Sequence, residues 1–420
     1  MDNPLRSVIF TCMEYDCDIV IVGGGLNGPT LALALAHSGL KILIVDALPE
    51  AKRQSQTFDG RSYAMALTST RLMEGIGLWE HLADDAQPML DIKVTDGRAG
   101  EGPSPFFMHF DHAEIEEGPM GYMVEDRNLR PVLLKALKKP KNIAVLNSET
   151  VIGQDATSTG ISVTLASGRT LRCRLVVGCD GRGSGTAVRA GISRTGWEYD
   201  QTALVCAIEH EKPHNGVAHQ FFMPAGPLAI LPLKGNRSSI VWSENAAQAA
   251  QINTMDDEDY LTVLRPRFGS FLGNIKLAGA RYKYPLSLSL ANSLIAPRVV
   301  LVGDAAHGIH PIAGQGLNAG LRDVAALAEV LTDAMRRGED MASGTVLRRY
   351  QTWRRFDNTT LALATDGFNR LFSNDNPALR VLRDIGMGVV ANVPGMRRGF
   401  IREAAGLTGD MPRLLNGEPL

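Results

Sequence analysis

Hydrophobic positions along this chain switch repeatedly between a period of two and a period near 3.6, which predicts alternating strands and helices. Asp18-Ile-Val-Ile-Val22 is a short β-branched strand, Thr30–Ser38 carries a helix pattern with Gly39 as its C-cap, and Lys41–Val45 is a second strand ending on Asp46. Helices follow at Leu67–Gly77 and from Glu125 to about Lys138. Residues 143–178 alternate as a three-stranded meander of Ile143–Gly153, Gly160–Leu165 and Thr170–Val177, turning at Thr157–Gly160 and Ser167-Gly168. Between 196 and 288 short β runs (Ala203–His210, Ala218–Met223, Leu228–Pro232, Ser238–Ser243) are punctuated by Pro, Gly and Asn. They predict an antiparallel sheet joined by Ile92–Phe110. The apolar run Val299–Val302 is another buried strand, and helical patterns start near Gly316 and at Val346.

At 420 residues with 45% hydrophobic content, the chain can build two or three domain-sized units. The balance of 43 basic and 45 acidic residues gives no global case for nucleic acid. Five cysteines (12, 17, 173, 179, 206) form no CxxC pair, and their odd number fits a reducing compartment, with a cytoplasmic location expected. Met1–Phe10 lacks the apolar core of a signal peptide; residues 1–14 read as a loose leader, with Met13 an alternative start. Glycines, Asn27, Pro29, His37 and Lys41 interrupt the apolar window Ile19–Val45, so strand–helix–strand explains it better than a membrane span.

That window holds the first chemical signal. Gly23, Gly25 and Gly28 satisfy GxGxxG between strand and helix, and Asp46 follows Gly28 by 18 residues. The glycines let backbone approach a pyrophosphate, the helix start attracts it, and the carboxylate accepts from ribose hydroxyls. Pro29 sits early in the helix, where it removes only an orphan N–H. The second signal is Gly303–Asp323, GDAAHGIHPIAGQGLNAGLRD. Asp304 can accept from the hydroxyls of a sugar-like chain. The N–H groups around Gly314, Gly316, Leu317 and Asn318 favour negative charge opposite them, as a reduced ring would present.

GDAAH followed by HPIAGQGLNAGLRDVAAL resembles the second flavin fingerprint of the single-component aromatic hydroxylases, and more narrowly the ubiquinone-biosynthesis flavin hydroxylases. Asp59-Gly60-Arg61-Ser62, Arg127 and the Asp180-Gly181 segment resemble further family segments. The resemblance implies a para-hydroxybenzoate hydroxylase-like fold: an α/β, Rossmann-like FAD-binding domain, discontinuous over 15–90, 122–195 and 289–370. A β-sheet substrate domain (91–121 and 196–288) is inserted into it, and a helical C-terminal segment (371–420) follows. It also implies that Arg61, Arg127 and Asp180 contact FAD or nicotinamide cofactor, and that Pro311 faces the flavin ring. His310 is a candidate general base, weighed against a structural histidine. The family's arginine seven residues after the Asp is replaced by Ala187, leaving Arg189 nearest. With one GxGxxG, NAD(P)H would bind transiently. The implied reaction hydroxylates a polyprenylated phenol of ubiquinone biosynthesis with NAD(P)H and dioxygen. Three alternatives stand beside it: a small aromatic acid as substrate, bound through Arg237 or Arg281; a prenyl reductase; and a non-catalytic flavin scaffold in a biosynthetic complex.

Phe221, Phe222, Leu231 and Trp242 either line the substrate cavity or pack the sheet. The tail Pro377–Leu407 carries Arg380, Arg383, Arg397, Arg398 and Arg402 against Asp384 and Glu403, with Leu382, Ile385, Val389 and Val393 spaced as one helix face. It reads as a helix capping the domain, with peripheral contact to an anionic membrane as the rival. His307 with His310, and His109 with His112 near Asp111, lack a closed ligand set, so no metal is expected. No GxSxG elbow is present. The oligomeric state is monomer or homodimer.

Overall fold

A computed structural model describes residues 15–55, 57–100, 102–310, 314–373, 388, 390 and 392–420. Its central sheet has six strands in the order Ile295–Ala296, Val299–Leu301, Leu175–Gly178, Ile19–Val22, Ile42–Asp46 and Ile143–Asn147. All neighbours are parallel except the first pair. Ile19–Val22 is buried at every position, as a parallel strand covered on both faces must be. Alternation then sorts its side chains. Ile19, Ile21, Ile42 and Ile44 face a core built with the helices Asn27–Ala34 and Gln315–Arg336, whereas Val20, Val22, Leu43 and Val45 face a small meander.

That meander corrects two expected strands. Ile143–Gly153 divides into Ile143–Asn147, parallel to Ile42–Asp46, and Val151–Ala156, which opens the meander. Ser148 between them is left-handed at φ 58 and turns the chain. Thr170–Val177 likewise divides at Arg174, where Thr170–Cys173 closes the meander and Leu175–Gly178 joins the parallel sheet. The expected late helix is a single 22-residue helix, Gln315–Arg336, followed by Gly344–Phe372, whose N-cap Ser343 accepts from the Val346 N–H.

The second large sheet has eight strands: His307–Gly308, Ile275–Ala291, Arg194–His210, Arg237–Asn245, Gly226–Leu233, Val217–Met223, Asp91–Arg98 and Gly102–Asp111. The expected antiparallel order fails at one pair, because Val217–Met223 runs parallel to Asp91–Arg98. The latter strand reaches the sheet from outside the meander of hairpins, so no short turn fixes its direction. Arg194–His210 and Ile275–Ala291 span 17 residues each, and the far end of the second pairs Ser289 and Leu290 with Gly308 and His307. The sheet therefore holds the turn after Asp304 directly. One face, with Phe221 and Trp242, is covered by helices Ala246–Thr254 and Asp257–Phe268. Leu231 lies on the opposite face with Phe58, Ala64, Met89 and Met123, while Phe222 stacks on Phe372 at 4.0 Å.

Most of the tail expectation, including Arg380, Arg383, Leu382, Ile385 and Val389, lies outside the described residues. In the described helix Pro394–Ala404, Ile401 is buried, and Arg397 and Arg402 pair with Glu114 and Glu117 at 2.8 and 3.1 Å. This part caps the domain. Among the described residues no helix is long and apolar enough to cross a membrane.

Candidate flavin site

The glycine turn is built by close approach. A Cβ on Gly23, which sits at φ +111, would overlap the Cys179 carbonyl, and one on Gly28 would overlap the Gly23 carbonyl oxygen. Gly25 is exposed, and a Cβ there meets nothing within 4 Å. The helix Asn27–Ala34 that follows has neither a side-chain cap nor an acid in its first turn. Its amide groups face an open cradle. Asp46 closes the turn: its carboxylate accepts from the Gly24 N–H at 2.5 Å and the Leu48 N–H at 2.7 Å. Arg53, 3% exposed, donates to the Gly24 carbonyl at 3.0 Å and to Asn147, with its Nε 3.8 Å from Asp46. Sequence reasoning missed Arg53 and Asn147, which nothing short of the fold brings beside residue 24.

The second fingerprint interlocks with the first through Asn27. Its side chain occupies the space that a Cβ on Gly303 (φ +64) or on Gly320 would need, and its buried Oδ1 has no partner. Asp304 presents a 43% exposed carboxylate, 3.4 Å from Arg182 of the Asp180 segment. Arg194 clamps the turn from the sheet, donating to the carbonyls of Asp304, Ala305 and Ser289. Gly314, left-handed at φ +66, starts the long helix without a side-chain cap or first-turn acid, and Gly316 faces open space. Asn318 is turned inward: its Oδ1 accepts from the Ala66 N–H and the Ser69 hydroxyl, and its amide donates to Ala64 O at 2.9 Å. Asn318 positions the helix start against the strand Ser62–Ala66, and Leu317 packs on the main core.

The remaining candidates fall in separate places. Arg61 pairs with Asp59 at 2.7 Å and Asp126 at 3.2 Å, and Asp59 holds its pKa high. Arg127 and Arg237 share Glu125 at 2.7 Å each, with both guanidinium groups over the Phe58 ring. Asp180 is occupied locally, accepting from Ser184 Oγ and from Thr186 N and Oγ1. Arg189 turns to Gln154 and Thr186, and Ala187 is buried. Arg281, on the strand Ile275–Ala291, lies against the outer helices, 2.7 Å from Met255 O and over the Tyr260 ring. His310 is fully buried, both ring nitrogens lack partners, and the Tyr199 ring stands 5.2 Å away. Burial, with Arg182 nearby, pushes its pKa down to about 4. A neutral, fully buried ring fits a structural histidine. Pro311 lies outside the described residues.

Residues 16–360 match the FAD binding domain family. The chain belongs to that family. It is 44% identical over 96% of its length to ubiquinone hydroxylase UbiL of Rhodospirillum rubrum, covering 93% of that protein. It is 34% identical over 93% of its length to 3-demethoxyubiquinol 3-hydroxylase of Escherichia coli, covering 98% of it. Among solved structures, p-nitrophenol 4-monooxygenase PnpA from Pseudomonas putida has the same fold, with a TM-score of 0.77 at 20% identity, across 94% of this chain and 99% of that one.

This flavoprotein monooxygenase offers FAD what the group requires. The open cradle at Gly25, the orphaned Asn27 Oδ1, the exposed Asp304 carboxylate and two uncapped helix starts fit a pyrophosphate, a polyol chain and a ring that gains negative charge. When bound, FAD supplies the redox chemistry between NAD(P)H and dioxygen, while the protein binds, orients and excludes water. Removing the Asp304 carboxylate (D304A) is expected to weaken FAD about 10- to 100-fold. Flavin fluorescence titration checks this, and an unchanged Kd would remove Asp304 from the site.

Proposed function

We propose that the protein hydroxylates the aromatic ring of a polyprenylated phenol in ubiquinone biosynthesis, consuming NAD(P)H and dioxygen. The observation that carries the reading is the near-full-length identity to ubiquinone hydroxylases. The chemistry around the sheet supports it. Leu231, Ala207, Ala218, Met89 and Met123 pack as an apolar cluster on the sheet face opposite the outer helices. The arginines considered for a carboxylate substrate are engaged elsewhere, Arg237 by Glu125 and Arg281 by the outer helices. That favours a lipid phenol over a small aromatic acid. Gly314, Gly316 and the helix start would hold the flavin ring, Gly25 and the first helix the pyrophosphate, and Asp46 and Asp304 the hydroxyls; Arg61 and Arg127 border the same region.

The test is a quinone analysis of cells lacking the protein, paired with oxygen uptake by the purified protein. Accumulation of a prenylated phenol short of one ring hydroxyl is expected, together with phenol-stimulated NAD(P)H oxidation that consumes dioxygen. Reduction of prenyl double bonds without oxygen uptake would establish the reductase instead, and no turnover at all the scaffold.

A lipid substrate calls for access to a bilayer. Phe356, Leu363 and Leu371 project from one stripe of the helix Gly344–Phe372, exposed at 75, 60 and 41%. Met396, Arg398 and Phe400 are exposed on the next helix, and Arg355 is exposed beside Phe356. We place peripheral contact with an anionic membrane here. The triple change of Phe356, Leu363 and Leu371 to serine should abolish flotation with anionic liposomes, and full retention would reject the surface.

A further inference from the structure

Behind the Gly303–Asp304 turn lies a buried charge. Asp323, on the helix Gln315–Arg336, is 0% exposed and accepts four donors. Its Oδ2 takes the Gly303 N–H at 3.0 Å and His307 Nε2 at 2.6 Å; its Oδ1 takes Arg354 Nε at 2.8 Å and Asn358 Nδ2 at 3.2 Å. Arg354 is buried too, and its other nitrogens donate to Asp357 at 2.7 Å and Asn358 Oδ1 at 2.8 Å. Tyr350 donates to the Leu301 carbonyl at 2.8 Å. Tyr350, Arg354 and Asn358 recur every four residues, so one face of the helix Gly344–Phe372 addresses the strand Val299–Leu301 and the turn that follows it. Burying an ion pair gains little stability over apolar packing of the same volume, whereas its directional bonds fix a geometry. The bonds here fix both ends of one turn, the Gly303 amide beside Asp304 and the His307 ring that leads back into the sheet.

We propose that Asp323, Arg354 and Asn358 are positioning residues of the flavin site: they set the Gly303–His307 turn so that Asp304 meets the cofactor, and make the helix Gly344–Phe372 part of FAD binding. The proposal rests on the FAD site alone and is independent of which phenol is hydroxylated.

The test separates positioning from stability. The full chain is prepared as wild type, D323N, R354K and N358A, with R298M as control. Arg298 is another largely buried arginine, 2.7 Å from Asp340, at the opposite end of the same strand and away from the turn. Apo-protein Tm, FAD Kd by fluorescence titration and visible-region circular dichroism of the bound flavin are measured for each. D323N is expected to raise the FAD Kd about 30-fold and to alter the flavin dichroism, with R354K and N358A raising it less. R298M should lower Tm with under about a 3-fold change in Kd. If D323N does not fold, R354K and N358A decide by the same criterion. A Kd that follows Tm alike in all variants and the control, or that does not change, would overturn the proposal and leave the cluster a core ion pair.

Discussion

Gly28→Ala is expected to give a protein that no longer retains FAD. The added Cβ would overlap the Gly23 carbonyl oxygen and approach Ile21 Cγ2 at 3.2 Å, so a backbone oxygen and a core strand must give way. Overpacking of this kind costs about 1–3 kcal/mol of stability. The larger effect is on binding. The turn has to open, and the first helix then points its amide groups away from the cradle that Gly25 leaves free. A loss of affinity of about 100-fold or more follows if two such charge-directed hydrogen bonds are lost. Gly25→Ala is the informative partner, since its Cβ meets nothing within 4 Å and the fold should hold its Tm. It should still weaken FAD, because the methyl group occupies the approach to the cradle. Both variants are read by Tm and fluorescence titration; wild-type affinity in Gly28→Ala would show that the turn is not where FAD binds.

The second large effect concerns acid. His310 has its pKa pushed from 6.5 to about 4 by burial and by Arg182, with Asp366 opposing. His219, beside Phe221 and Phe271, is lowered to about 4 by burial and Lys93. The sign follows from proton counts. Between pH 6.5 and 4 the unfolded chain binds these protons and the folded chain does not, so stability falls as pH falls through that window. Below pH 4 both states are protonated and this contribution changes no further. For His310 alone the shift is worth about 3 kcal/mol across the window. His310→Phe should therefore flatten the dependence of the urea midpoint on pH between 7 and 4.5. The same slope in variant and wild type would show that His310 titrates normally.

How much of this was legible in the sequence varies with the range of the interactions involved. The glycine turn was legible because its glycines, strand, helix and Asp46 lie within one local unit whose order carries the meaning. The Gly303–Asp323 segment was legible for the same reason. What alternation could not convey was which sheet a strand joins, so residues 143–153 and 170–177 read as single strands although each divides between two sheets. A DG pair likewise says nothing of Ser184 and Thr186 folding back onto Asp180. Arg53, Arg354 and Asn358 were invisible as site residues because they meet their partners across the fold, at separations of 29, 31 and 35 residues. His310 sat inside a legible motif, yet its closure beneath Tyr199 is a property of packing.

The wedge of Asn27 between Gly303 and Gly320 also bears on how such enzymes can be recombined. The three positions form a lock assembled from the two ends of the chain, and a larger residue at either glycine would displace the amide. A chimera that takes its amino-terminal third from one relative and the remainder from another would inherit the two halves of that lock from different parents. Crossovers that keep residues 27, 303 and 320 from a single parent should give flavinated protein far more often than those that divide them, whichever substrate the parents prefer.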